Sequence, residues 1–247
     1  MSGETWLVLG ASSAIARAFA REAAARGDRV LLAGRDQEDM ARTACDLEVR
    51  HGIETHVLLF DAIAYDSHDA FMARVAERRQ GPLNVFLAFA AMAEQAELAG
   101  DAAGELAIAE ATYLGPVSIL SRLADVLEAD GAGRLVVLGS VAGDRGRPKN
   151  YTYGAAKAGL HAYVQGLRAR LWRKGVTVTT IKPGFVDTAM TWGLEGLFLV
   201  ASPEACARAS MRHALAGAEV RYVPWFWRGI MSIIRAIPEP IFKRLNI

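Results

Sequence analysis

Along the chain, short runs of consecutive apolar residues alternate with longer stretches in which apolar residues recur every three to four positions. The short runs are TWLVLG (5–10), RVLLAG (29–34), THVLLF (55–60), NVFLAFA (84–90), GRLVVLGS (133–140), VTVTTIKPG (176–184) and EVRYVP (219–224). Most are apolar at every position rather than at alternate ones, which predicts strands covered on both faces. The longer stretches predict helices over 14–26, 36–51, 67–79, 103–129, 151–174 and 203–215. Strand followed by helix, repeated this often, predicts a single α/β domain over 1–247, with a doubly wound parallel sheet of about seven strands and helices on both faces.

Composition narrows the partners. The 247 residues are 52% hydrophobic and 22% charged, as in a folded protein. A net charge of +1 makes no broad basic field, so no nucleic-acid partner is expected. Cys45 and Cys206 are too few for a disulfide framework and read as buried small hydrophobes in a reducing compartment. His51, His56, His68, His161 and His213 are scattered without metal-ligand spacing, so no metal is expected. No secretory leader is expected ahead of the first strand, and no apolar run reaches the roughly 18–20 residues of a membrane span. The expected location is the cytoplasm.

In a doubly wound sheet, ligands bind outside the carboxyl ends of the strands. The first such end reads GASSAIA, residues 10–16. Gly10 permits a tight turn, and Ser12 and Ser13 can meet phosphate oxygens at the positive end of the following helix. Ala14 and Ala16 are the smallest substitutes for glycine. Taken alone, this segment is equally a serine-capped helix start. The second strand ends AGRD, where Arg35 suits a 2′-phosphate better than ribose hydroxyls, with Arg17 as a second cation. NADP(H) is therefore expected over NAD(H). Asp61, after the third strand, is placed to accept from an adenine amino group.

The segment from 135 to 167 carries the chemistry. Ser140 closes the fifth predicted strand, Tyr153 follows thirteen residues later, and Lys157 lies four beyond it on the same helix face. A free phenol, with its pKa near ~10, is a poor proton donor or acceptor at neutral pH. A neighbouring ammonium is expected to lower that value, and a serine hydroxyl to hold the substrate oxygen beside it.

The sequence resembles the short-chain dehydrogenase/reductase family from about Thr5 to Thr188. The resemblance rests on G-x-x-x-A-x-A, Asp61, Ser140, Tyr153-x-x-x-Lys157 and KPGFVDT after the sixth strand. It implies a Rossmann-like fold and a hydride transfer between nicotinamide and a carbonyl/secondary alcohol pair. Tyr153 is then the acid/base, Ser140 positions substrate, and Lys157 holds the nicotinamide ribose. Pro183 and Gly184 are expected to wall the nicotinamide, with Val186 and Thr188 touching its carboxamide and phosphate. Gly10, Ser12, Ser13, Ile15, Arg35, Asp61, Ala62, Ala88 and Ala90 complete the expected cofactor contacts. Two departures go beyond the alanines of the first turn. The family's N-N-A-G reads AFAA here (Ala88–Ala91), and Thr112 replaces an asparagine that helps hold a proton-relay water. The alternative left open is a catalytically impaired NADPH-binding regulatory or scaffold protein. A sugar-nucleotide epimerase also uses Tyr-x-x-x-Lys but normally has a larger C-terminal domain.

The stretch 188–215 corresponds to the family's substrate lid. Met190, Trp192, Leu194, Leu197, Phe198, Leu199 and Val200 make it apolar, suiting a bulky or hydrophobic substrate. The tail 224–247 mixes Trp225, Phe226, Trp227 and several isoleucines with Arg228, Arg235, Lys243 and Arg244. That pattern suits peripheral membrane contact, a subunit contact or a pocket wall. FAAMAEQAEL and the tail are also similar to reductases of decaprenylphosphoryl keto sugars, which implies a lipid-linked carbonyl substrate. The family's usual assembly implies a homo-oligomer through the long helices.

Overall fold

The computed structural model describes residues 3–193 and 198–245. The strands are β1 Thr5–Leu9, β2 Arg29–Gly34, β3 Thr55–Leu59, β4 Leu83–Leu87, β5 Arg134–Leu138, β6 Thr177–Pro183 and β7 Val220–Val223. Each begins within one residue of its predicted start. They form one seven-stranded sheet in the order β3-β2-β1-β4-β5-β6-β7, and every neighbouring pair is parallel.

The helices are α1 Ala14–Ala24, α2 Gln37–His51, α3 His68–Arg78, α4 Ala102–Ala109, α5 Gly115–Asp130, α6 Tyr151–Trp172, α7 Pro203–Leu215, α8 Trp227–Ala236 and α9 Glu239–Phe242. Successive strand residues point to opposite faces. Trp6 and Val8 of β1 therefore enter the layer containing Phe19 of α1 and Met211 of α7. Leu7 and Leu9 enter the layer containing Phe71 of α3, Leu120 of α5 and Leu160 of α6. Burying each such side chain contributes about 1.5–3 kcal/mol, which is why the strands are apolar at every position.

The chain winds outward from β1 to β3, then returns to place β4 on the other side of β1. This switch point opens a crevice at the carboxyl ends of β1 and β4. Gly10 sits there at φ +81°, and a Cβ on it would stand 2.9 Å from Phe89 Cβ and 3.0 Å from the Ala88 carbonyl carbon. Glycine is required on both counts.

Several expectations change. The helix predicted over 103–129 is two helices joined by a π-helical turn, Glu110–Leu114. Pro116 has no N–H to continue the ladder. Gly115 lies so close to Ala62 that a Cβ would come 2.8 Å from its carbonyl oxygen. Cys45, expected to be buried, is exposed, because the core face of α2 is Met40, Thr43, Ala44 and Leu47. Within 188–215, α7 is a core helix, with Cys206, Ala207 and Met211 packed in the layer of α1. Leu194 and Leu197 lie outside the described residues. In the tail, Trp227 and Met231 are buried against Val141, with Phe185, Phe226, Ile230 and Ile234 around them. The apolar stripe of α8 thus faces the domain, while Trp225, Ile233 and Ile241 remain exposed. Among the described residues, no helix is long and apolar enough to cross a membrane.

Candidate active site

The two serines of the first turn have different fates. Ser13 caps α1, its hydroxyl accepting the Ala16 N–H at 3.2 Å. Ser12 Oγ is buried and has no hydrogen-bond partner among the described residues. A buried hydroxyl without a partner is costly, so this one fits an arriving acceptor such as a phosphate oxygen. Arg17, expected as a second cation for a phosphate, is engaged within the fold: it donates to the Ser12 carbonyl at 2.7 Å and pairs with Asp39 at 3.3 Å. The Ala16 methyl is fully buried in the core layer of α1, which leaves Ala14 as the alanine nearer the turn surface.

A cavity of about 330 Å³ opens beside this turn, and Gly10, Ser12, Arg35, Asp61, Ala62 and Ala90 line it. Arg35 is exposed at its edge. Asp61 accepts the Ile63 N–H at 3.2 Å and keeps its other oxygen for a second donor. Ser13, Ile15 and Ala88 are not among the lining residues. Ile15 is buried in α1, and Ala88 donates its N–H to Leu9 across the switch point at 2.9 Å. The set fits a dinucleotide: a turn glycine, an unpartnered hydroxyl at a helix N-terminus, a cation and a carboxylate around one crevice.

The reacting groups meet at the ends of β5 and α6. Ser140 follows β5 in extended backbone, and its hydroxyl accepts the Ala142 N–H at 3.0 Å. Tyr153 stands in the first turn of α6, 8% exposed. Lys157, one turn on, is 2% exposed. Its Nζ donates to the Leu138 carbonyl at 2.9 Å and lies 5.8 Å from the centre of the Tyr153 ring. Burial pushes the Tyr153 phenol up to about 12, while the Ser140 hydroxyl beside it pulls the other way. Burial also brings Lys157 down to about 8. The sequence-based expectation that Lys157 lowers the tyrosine pKa is therefore corrected. The ammonium is directed at a backbone carbonyl, and desolvation dominates the phenol. Tyr153 holds its proton at neutral pH, the state a proton donor needs.

The Thr112 hydroxyl donates to the Ala91 carbonyl at 2.9 Å and accepts the Ala91 N–H at 3.0 Å, which spends its proton and one of its two lone pairs on the backbone after β4. Beyond β6, Gly184 lies against Trp227 of α8, and a Cβ on Gly184 would run into the indole. Val186 bridges to Ala201, and the Thr188 N–H goes to Thr191 Oγ1 at 3.2 Å. Thr188 also lines an open depression of about 680 Å³ with Asp187, Trp192 and Glu204. Its two carboxylates disfavour an anion, and none of the predicted reacting groups lines it.

Three residues near Ser140 escaped the sequence reading: Asp144, Arg145 and His161. The spacing 153, 157, 161, four residues each time, was the available signal for His161.

A family profile described as short chain dehydrogenase matches residues 4–195. The chain belongs to the short-chain dehydrogenase family. It is an oxidoreductase of that type, and its full-length relatives agree. It is 35% identical over 240 residues to an uncharacterized oxidoreductase of Mycobacterium tuberculosis, covering 97% of this chain and 96% of that protein. It is 36% identical over 243 residues to an uncharacterized oxidoreductase of Streptomyces coelicolor, covering 98% and 95%. The fold matches a bulky-bulky ketone specific alcohol dehydrogenase from Comamonas testosteroni at TM-score 0.81, with 21% identity and 97% and 96% coverage. It also matches an actinorhodin polyketide ketoreductase with NADPH at TM-score 0.79, with 23% identity and 91% and 97% coverage.

Proposed function

We propose that this short-chain dehydrogenase is an NADP(H)-dependent reductase of a bulky or hydrophobic carbonyl compound. The observation that carries the reading is the buried Tyr153 phenol beside the Ser140 hydroxyl, with Lys157 one helical turn below. Gly10, Ser12, Arg35, Asp61, Ala62 and Ala90 hold the nucleotide end of the cofactor, and Pro183, Gly184, Val186 and Thr188 the nicotinamide end. Arg35 takes a 2′-phosphate through charge-assisted hydrogen bonds. Fold neighbours described with NADPH or 5-hydroxy-NADP support the cofactor class.

A reduced nicotinamide held there would supply the hydride for the carbonyl carbon. Ser140 holds the carbonyl oxygen, Tyr153 gives it the phenolic proton, and the product is a secondary alcohol. Lys157, charged below about 8, grips the ribose from one helical turn below Tyr153. Trp192, Phe198, Leu199 and Val200 are exposed beside this end of the sheet and favour a large apolar substrate. A lipid-linked keto sugar is the finer form of this proposal, with peripheral membrane contact through Trp225, Ile233 and Ile241 and homo-oligomerisation through the long helices.

One observation favours a second reading. With the Thr112 hydroxyl proton given to Ala91, that hydroxyl has no proton to pass on, which favours an NADPH-binding protein without turnover. The test is fluorescence titration with NADPH and NADH. A carbonyl panel is then reduced by the wild type and by Tyr153→Phe, running from aryl and diaryl ketones to polyprenyl-phosphate-linked keto sugars. Turnover that falls about 10²–10⁴-fold in the variant, with NADPH binding intact, supports the reductase. Tight NADPH binding without turnover of any carbonyl supports the second reading, and tighter NADH binding overturns the role of Arg35.

A further inference from the structure

The helix face that carries Tyr153 and Lys157 has a third member. His161 lies four residues beyond Lys157, and its side chain is only 11% exposed. Its Nε2 stands 3.3 Å from the Ser140 amide nitrogen. A backbone N–H can only donate, so Nε2 carries the lone pair and the ring proton sits on Nδ1. Nδ1 has no hydrogen-bond partner among the described residues. The nearest carboxylate oxygen, Asp144 Oδ1, is 4.0 Å away.

The glycines around Ser140 are explained by this ring. A Cβ on Gly139 would run into His161 Nε2, and a Cβ on Gly143 would come 2.7 Å from His161 Cε1. Neither glycine has a positive φ, so space rather than backbone conformation demands them. The imidazole is wedged between the two ends of the turn that presents the serine hydroxyl.

The far side of that turn is fastened as well. Asp144 accepts from Lys182 of β6 at 2.5 Å and from the Tyr222 hydroxyl of β7 at 2.7 Å. Arg145 donates to the carbonyls of Ile234 at 2.7 Å and Ile237 at 2.5 Å, and to Glu239 at 2.9 Å. Its guanidinium lies 3.6 Å over the Phe242 ring. On the α6 side the turn meets the helix backbone, with Gly143 against Ala158 N and Gly154 against the Ala142 carbonyl, and His161 is the side chain there that hydrogen-bonds Ser140.

We propose that His161 is a positioning residue: the neutral imidazole accepts the Ser140 N–H and fixes the serine hydroxyl beside the phenol of Tyr153. The proposal rests on the roles given above to Ser140 and Tyr153. Its ligand is internal to the fold, and the groups facing the ring are Asp144 from the turn, Lys157 from α6, Lys182 from β6 and Tyr222 through Asp144. Burial, with Lys182 and Lys157 adding to it, holds the imidazole pKa down to about 3. The ring stays neutral through the working range, and the contact to Asp144 is not an ion pair.

Two substitutions separate acceptor from shape. In His161→Gln the amide oxygen reaches about as far as Nε2 and can accept the same N–H. In His161→Leu the space is filled and the acceptor is lost. Leucine is expected to lower kcat about tenfold to a hundredfold on a diaryl ketone, as misplacement of a reacting group by about 1 Å does. KM and the NADPH Kd should stay within about twofold, and glutamine should restore kcat to within about fivefold of wild type. Leucine with wild-type kcat overturns the proposal, as does glutamine falling as far as leucine while both remain folded by circular dichroism.

Tyr153→Phe is assayed alongside. If it retains turnover, the reading of the site fails, and the positioning role is then decided by ¹⁵N-histidine NMR on the wild-type protein. The expected signature is an unprotonated Nε2 and a protonated Nδ1 that do not titrate near the ordinary histidine pKa. An Nε2–H tautomer, or titration near that value, overturns the proposal without any substrate.

Discussion

The turn after β1 and the turn after β5 do opposite things with their polar atoms. After β1, Ser12 Oγ is buried without a partner among the described residues, Arg35 is exposed, and a cavity opens between them. After β5, the Ser140 N–H goes to His161, its hydroxyl accepts from Ala142, and Asp144 and Arg145 are tied to β6, β7 and the C-terminal segment. The first turn is shaped for something that arrives and leaves. The second is shaped by what is already there, as suits a hydroxyl whose position relative to a phenol decides a rate. Their glycines differ in the same way: Gly10 is needed for positive φ and for the approach of Ala88 and Phe89, Gly139 and Gly143 only for the imidazole and its neighbours.

The largest expected effect breaks the tied turn. In Gly143→Ala the new Cβ stands 2.7 Å from His161 Cε1, 2.8 Å from Ala158 N and 2.9 Å from the Lys157 carbonyl carbon. Two of these are backbone atoms of α6 and cannot step aside cheaply. Such overpacking costs about 1–3 kcal/mol or more, so the urea midpoint should fall clearly and ketone turnover with it. A midpoint unchanged within error would mean that the turn is not clamped.

Next in size is a change at the open turn. Arg35→Ala removes charge-assisted hydrogen bonds worth about 1.5–3 kcal/mol to a 2′-phosphate. NADPH binding should weaken about tenfold to a hundredfold, with NADH binding within about twofold and the melting temperature of the free protein unmoved, because Arg35 is exposed. Equal losses for both nucleotides would show that Arg35 stacks on adenine rather than reading the phosphate.

How much of this contrast was legible in sequence depended on the range of the interactions. The strands were readable because each is apolar throughout, a local property, and Tyr153 with Lys157 because i and i+4 share a face. The fate of a hydroxyl was not. Ser12 and Ser13 are identical in type and adjacent, yet one caps a helix and the other is left unpartnered. Thr112 read only as a replacement for the family's asparagine, since nothing local announced Ala91, 21 residues earlier, as its partner. Trp225 and Trp227 read alike in the tail, but one is exposed and the other buried against Gly184, a choice made by the face of α8 and by a glycine far back in the chain. His161 was visible as a letter at the right spacing, but its role needs Gly139 and Gly143, which only the fold brings around it.

An effect of similar size, confined to acid pH, follows from the buried imidazole. Its pKa is about 3 in the fold against 6.5 ordinarily, so between these values the unfolded chain binds a proton that the native one does not. Stability therefore rises with pH across that window and is lost as pH falls through it, by up to about 1.4 kcal/mol per pH unit from this group. His161→Gln removes the term. Its chemical-denaturation free energy should fall less steeply than that of the wild type from about pH 6 to about pH 4, with the two slopes alike above about pH 7. Parallel slopes throughout would mean that the ring titrates in the fold as it does in the unfolded chain, and that the tied turn is held in some other way.

The smallest effect is the sharpest test of the difference between the turns, because its two parts have opposite signs. In Ser12→Ala a buried hydroxyl without a partner is removed, and relief of its desolvation should leave the free protein as stable as the wild type or raise it by up to about 1 kcal/mol. The same hydroxyl is then missing when a phosphate arrives, so NADPH binding should weaken by about 0.5–1.5 kcal/mol, roughly twofold to tenfold in Kd. Ser140→Ala, by contrast, deletes the acceptor of the Ala142 N–H and should destabilise the free protein slightly while leaving NADPH binding alone. Thermal melts of both variants, each with and without NADPH, read the four outcomes together. If Ser12→Ala lost stability without NADPH, its hydroxyl would already be serving the fold, and the turn after β1 would be as tied as the turn after β5.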